Sequence, residues 1–139
     1  MAALSADRRT PRRTHPEGIV AGYKMKASTT IHAGSLVMLD DKGLAVPATK
    51  AASHVPVGRA EHPAKSGAAG DTFVECRQGI FRWDNLAADA VAAAEVGDKV
   101  FVEDDQTIRK AANAAGVAVG KLVEIDDAGA WVATGFLYT

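Results

Sequence analysis

The chain is short of most residues that announce chemistry. It has one cysteine, Cys76, in 139 residues, so no intramolecular disulfide can form, and nothing points to an oxidising compartment or a cysteine-rich metal site. Phe, Trp and Tyr together make up 6%, which leaves the core to Val, Leu, Ile and Ala and argues against an aromatic-lined ligand groove. No apolar run is long enough for a signal peptide or a membrane span, so the expectation is a soluble protein made in the cytoplasm with no membrane partner. The nucleophile elbow G-x-S-x-G, the P-loop and the dinucleotide fingerprint G-x-G-x-x-G are all missing.

Net charge is also small, at -1, but its distribution is uneven. Residues 1–16 hold Arg8, Arg9, Arg12 and Arg13 against Asp7, a balance of +3, and the remaining 123 residues hold 12 basic and 16 acidic side chains, a balance of -4. Pro11 and Pro16 bracket the arginines and favour an extended, solvated backbone. Ordering such a segment costs about 1–2 kcal/mol per residue of backbone entropy, so a neighbouring subunit or a partner surface is expected to hold it. The organisation predicted is an extended basic arm over 1–19 and a single β domain over 20–139. A chain of this size removes roughly two-thirds of its unfolded surface from water and needs no staples.

What the chain has in quantity is repetition. GSLVMLDD from Gly34 and GDKVFVEDD from Gly97 share a glycine, an apolar strand and an acidic turn, and VPVGR from Val55 is matched by VAVGK from Val117. The two pairs are offset by 63 and 62 residues, which argues for an internally duplicated β unit. A repeated strand set closes naturally into a small barrel or sandwich.

Coarse strand signals run over Val20–Lys26, Leu36–Leu39, a hairpin through Asp40–Gly43 into LAVP, and Val55–Ala60. SGAAGD reads as a loop. Thr72–Trp83 is the strongest strand, with Thr72, Val74 and Cys76 on one face, Phe73, Glu75 and Arg77 on the other, and Gly79 expected as a phase-shifting bulge. LAADAVAAAEVGD predicts one short helix, with Asn85 as N-cap and Gly97 just past its end. Val100–Glu103, Thr107–Lys110 and Val117–Ile125 repeat the strand set, and WVATGFLYT is expected as a last strand running to Thr139. The fold class is therefore mainly β: a compact β-barrel or jelly-roll-like sandwich with an internal duplication, one short helix and an extended N-terminal arm.

Candidate chemistry is thin. His15, His32, His54 and His62 have no i, i+4 spacing, so neither a metal site nor a cofactor is expected. Cys76 alternates with Val74 and reads as a small buried hydrophobe. Asp40-Asp41, Asp104-Asp105 and Asp126-Asp127 fall where hairpins turn, and they lack the alternating ligand positions of a calcium loop. With no convergent acid, base and nucleophile, no catalytic residue and no enzymatic activity is expected. Arg8, Arg9, Arg12 and Arg13 are the first candidates for partner contact, with an acidic protein surface or nucleic-acid phosphate as the target. No recognition helix or stacking aromatics accompany them, so sequence-specific nucleic-acid binding is not expected. Trp83 and Trp131 are the next candidates, although for each of them core packing is the favoured reading.

From Tyr23 onward the succession AGSLVM, VGRAE, AGDTFVECRQGIFRW, AAEVGDKVFVEDD, NAAGVAVG and WVATGF resembles the capsid cement, or decoration, proteins of tailed bacteriophages. The resemblance covers residues 20–139 and is carried by the order and spacing of glycines and Val-rich strands. It implies a structural virion protein, a dimer or trimer on the capsid exterior, bridging neighbouring subunits of the major capsid protein. The resemblance brings no catalytic residues. The basic arm departs from the pattern, since relatives begin close to the first strand. The alternative reading is a small nucleic-acid-associated protein that binds phosphate through the arm.

Overall fold

The computed structural model describes residues 18–50, 54–112 and 116–139. Eleven strands run in order: β1 (Ile19–Lys24), β2 (Thr30–Ile31), β3 (Leu36–Leu39), β4 (Ala45–Pro47), β5 (Val55–Ala60), β6 (Ala64–Lys65), β7 (Phe73–Asn85), β8 (Lys99–Val102), β9 (Thr107–Arg109), β10 (Ala118–Asp126) and β11 (Gly129–Thr134). The fold is mainly β, and it is built as two small barrels that share β7.

The first barrel follows β1, the first half of β7, β5, β3 and β4, all antiparallel, and closes through a parallel bridge between Met25 and Ala45. The second follows the last half of β7, then β11, β10, β8 and β9, and closes through the parallel pairing of Asp84 with Thr107 and Asn85 with Ile108. The duplication extends to register. Val37 faces Gly58 and Met38 faces Pro56 across a one-residue irregularity; Val100 faces Gly120 and Phe101 faces Ala118 across the same irregularity. Leu39 faces Ala45 as Val102 faces Ile108, and Tyr23 faces Val74 as Trp83 faces Ala130. Turn hydrogen bonds repeat too: the Gly34 N–H donates to the Ala60 carbonyl as the Gly97 N–H donates to that of Leu122.

Each five-stranded barrel is narrow enough to be filled by its own side chains. Val37, Val57, Ala60, Val74 and Cys76 fill the first, and the equivalent Val100, Val119, Leu122, Ala130 and Val132 fill the second. Leu36, Met38 and Ala48 point out of the first barrel and join the core of the second. That is how the barrels pack together, and why β3 is buried on both faces.

Three expectations are corrected. Gly79 is no bulge: β7 is continuous, and burial shifts from Val74, Cys76 and Gln78 to Gly79 and Trp83 because the two cores lie on opposite faces of one strand. The expected helix is two single 3-10 turns, Ala87–Asp89 and Ala93–Glu95, with Ala90 and Ala92 extended. Asn85 does not cap a helix. Its side-chain amide accepts from the Val91 N–H and donates to the Val91 carbonyl, both at 2.9 Å, so it pairs as a strand residue would and draws Val91 into the core. An alanine-rich segment with little apolar surface cannot offset that competition. The last strand ends at Thr134, where Gly135 at φ 122° leads into a 3-10 turn over Phe136–Tyr138. The terminus is held by the Leu137 N–H on Gln78 Oε1 at 3.0 Å.

The four-residue correspondence around Gly58 and Gly120 has a steric cause. A methyl group on Gly58 would lie 2.1 Å from the Arg77 carbonyl oxygen, and one on Gly120 would lie 1.7 Å from that of Ala133. Gly58→Ala and Gly120→Ala are each expected to lower stability by about 2–3 kcal/mol or more, whereas Gly22→Ala, with open space around it, should leave the thermal midpoint unchanged or raise it. Equal midpoints for the three variants would refute this account. Because one strand serves both cores, exposure of the Cys76 thiol in the first barrel and tryptophan fluorescence from the second should change at the same urea concentration; two separate transitions would show independent barrels.

Candidate functional site

Arg8, Arg9, Arg12 and Arg13 lie outside the described residues. The two tryptophans have opposite fates. Trp83 is a core residue of the second barrel, its indole N–H donating to Thr134 Oγ1 at 2.9 Å, and Phe81 meets its ring edge-on with centroids 6.4 Å apart. This is the core-packing reading of Trp83, although the residue also borders the groove described below. Trp131, on the opposite face of β11 from the buried Ala130 and Val132, is half-buried at the surface.

Around Trp131 the structure assembles a cluster that the sequence reading did not single out. Its indole N–H donates to Asp126 Oδ2 at 2.8 Å, Arg82 stands over its ring at 5.5 Å from the centroid, and Arg82 Nη1 lies 3.5 Å from the same carboxylate oxygen. Arg59, from β5, lies 4.2 Å over the Phe81 ring. Glu61 Oε1 accepts from Arg59 Nη2 at 3.1 Å and from Arg77 Nε at 2.9 Å. Gly34, Arg59, Ile80, Phe81, Arg82, Trp83 and Trp131 line an open groove of about 450 Å³, with walls from both barrels. The signal available in sequence was the alternation Ile80-Phe81-Arg82-Trp83, which sends Ile80 and Arg82 to one face and Phe81 and Trp83 to the other. What it could not supply was Arg59, which is distant in the chain.

The electrostatics of the cluster follow from these contacts. Burial works to raise the Glu61 carboxyl, but hydrogen bonds from Arg59 and Arg77 outweigh it and hold the group below its ordinary value. Asp126 is held low by the Trp131 hydrogen bond first and by the Ala128 N–H second. Burial pushes the Cys76 thiol up to about 12, with Glu61 adding to the effect, so at neutral pH it is a protonated core side chain and not a nucleophile. The aspartate pairs act as turn formers: Asp40 Oδ1 accepts from the Lys42 and Leu44 N–H groups, Asp104 Oδ1 from that of Gln106, and Asp126 Oδ1 from that of Ala128. A second shallow groove, lined by Asp84, Asn85, Asp126 and Asp127, is acidic. Among the described residues, no three His, Cys, Asp or Glu side chains are grouped to hold a metal ion.

No protein-family model, no curated protein and no solved structure matches this chain.

The depressed Glu61 carboxyl makes stability depend on pH with a definite sign. A folded value below the unfolded one means that its contribution is complete above the ordinary 4.5 and is lost as pH falls through the lower folded value. Glu61→Gln should cost about 1 kcal/mol at pH 7 and should lose less stability than the parent between pH 5 and the acid limb. Urea midpoints over that range test this; parallel acid limbs for the two proteins would exclude it.

Proposed function

We propose that this chain is a structural virion protein that binds the outside of a tailed-phage capsid and cements neighbouring subunits of the major capsid protein. One observation carries the reading: the motifs that resemble cement proteins are the segments that build the twin barrel. AGSLVM and AAEVGDKVFVEDD contain the equivalent turns at Gly34 and Gly97 and the strands that follow them. VGRAE and VAVG contain the close approaches at Gly58 and Gly120, and AGDTFVECRQGIFRW contains nearly all of the shared strand β7. The order that resembles the family is therefore the order that the fold needs.

The physics suits such a role. A body with two closed barrels resists deformation, and a homo-oligomer of it, dimer or trimer, presents repeated outward faces. Modest contacts from each face then add through effective concentration and brace a shell against internal pressure. Side chains around the groove are held by ion pairs and turns, which would give a clamp a pre-shaped surface. The basic arm, +3 against a body of -4, would add a tether to a neighbouring copy or to the shell.

Deletion of residues 1–16 separates this reading from a nucleic-acid one. Sedimentation of the full chain and the deletion with empty shells should show loss of shell binding on deletion, with no change in DNA retardation. A DNA affinity that falls with salt at a log–log slope of about -3 to -4, as four arginines would give, and that vanishes on deletion would favour the nucleic-acid reading instead.

A further inference from the structure

The duplication supplies an internal control for deciding which surface residues the fold requires. By register, Ile80, Phe81, Arg82 and Trp131 of the second barrel occupy the places of Val20, Ala21, Gly22 and Glu75 in the first: Arg82 faces Trp131 as Gly22 faces Glu75, and Phe81 faces Val132 as Ala21 faces Cys76. The same strands therefore pair and close without arginine or aromatic side chains at these positions. Arg59 has its counterpart in Lys121, since Arg59 faces Arg77 as Lys121 faces Ala133. The two stacked arginine–aromatic pairs converge only at the junction of the barrels, where both line one groove.

We infer that this junction groove is a docking site for an acidic, apolar segment of a partner protein, a carboxylate held between Arg59 and Arg82 with a neighbouring apolar side chain against Ile80. Charge complementarity supports that occupant. No carboxylate lines the groove; Glu61 and Asp126, outside its lining, each pair with one terminal nitrogen of a guanidinium, and each guanidinium lies over an aromatic ring. A guanidinium carries five N–H donors in a planar fork, more than one carboxylate contact engages, so a second carboxylate can be added as a bidentate or shared partner. Ile80 stays 55% exposed in the middle of the lining, an apolar surface beside cations that suits a short peptide segment. A phosphate backbone suits it less, because it offers nothing apolar to Ile80 and brings a charge at every unit past the adjacent acidic groove of Asp84, Asp126 and Asp127, whereas a peptide segment needs one carboxylate at the arginines. The identity of the partner as a capsid subunit rests on the function proposed above; the chemistry of the groove does not.

The test uses the full chain and a fluorescein-labelled, N-acetylated peptide Asp-Leu-Glu-Val-Asp, with its Asn-Leu-Gln-Val-Asn counterpart, followed by anisotropy and by Trp131 fluorescence. The acidic peptide should bind saturably, at least tenfold tighter than the amide peptide. R59A/R82A should weaken it at least tenfold, as should Ile80→Glu, which changes an exposed side chain and guards against a folding defect in the double variant. Lys121→Ala, the equivalent of Arg59 on the other barrel, should bind as the parent does. No saturable binding up to a few millimolar, or equal binding by R59A/R82A, overturns the inference. So does a single-stranded oligonucleotide that displaces the peptide from the same residues at lower concentration, or a change in sedimentation of the protein alone in R59A/R82A, which would make a second copy the occupant. Shell sedimentation keeps the two proposals apart: shells that bind the parent and R59A/R82A alike refute the groove and leave the cement reading standing, whereas groove-dependent peptide binding with no shell binding does the reverse.

Discussion

The whole structure depends on one strand facing two ways. Successive residues of a β-strand point to opposite sides, and β7 gives its even-numbered side to the first barrel through Val74, Cys76 and Gln78 and its odd-numbered side to the second through Trp83. The strand completes the sheet of each barrel, so neither core can form in its native arrangement without it. A slip of one residue in β7 would turn both sets of side chains outward at once. That coupling makes the register of this segment the most stringent requirement in the chain.

Around that axis the two halves repeat wherever geometry leaves no choice and diverge wherever it does. The strands after Gly58 and Gly120 pass so close to the next backbone that a side chain cannot be accommodated, and the irregularities at Val57 and Val119 turn both valines fully into their cores. Loops are free of such limits. The first barrel is covered by the small β2–β6 sheet, with Ile31 buried beneath it, whereas the second is covered by the 3-10 segment that carries Val91. Outward faces diverge as well: Leu36 and Met38 are buried between the barrels, while of their equivalents Lys99 is exposed and Phe101 only half-buried.

This pattern frames the functional reading. The two halves repeat their frame and vary their exterior, and the arginine–aromatic pairs at the junction are absent from the equivalent place on the first barrel. Each of those arginines is paired with a carboxylate, Arg59 with Glu61 and Arg82 with Asp126.

Much was legible in the residues themselves. Alternation marked most of the strands, the two offset phrases revealed the duplication, and the aspartate turns followed from side chains that bond their own backbone, since all of these are governed by neighbours within a few positions along the chain. The helix misread has the same origin from the other side: alanine-rich propensity is local, whereas the Asn85–Val91 pairing that defeats it belongs to the edge of a barrel. Gly79 could not be resolved either, because a phase change in alternation looks the same for a bulge as for a strand passing from one core to another. The sequence by itself determined that the chain is β-rich and doubled; only the tertiary structure decided that there are two cores on opposite faces of a shared strand, that Trp83 is inside and Trp131 outside, and that Arg59 meets Phe81. Those outcomes depend on which segments pair across dozens of residues, and pairing is set by the collective closure of the sheets, which no local stretch encodes.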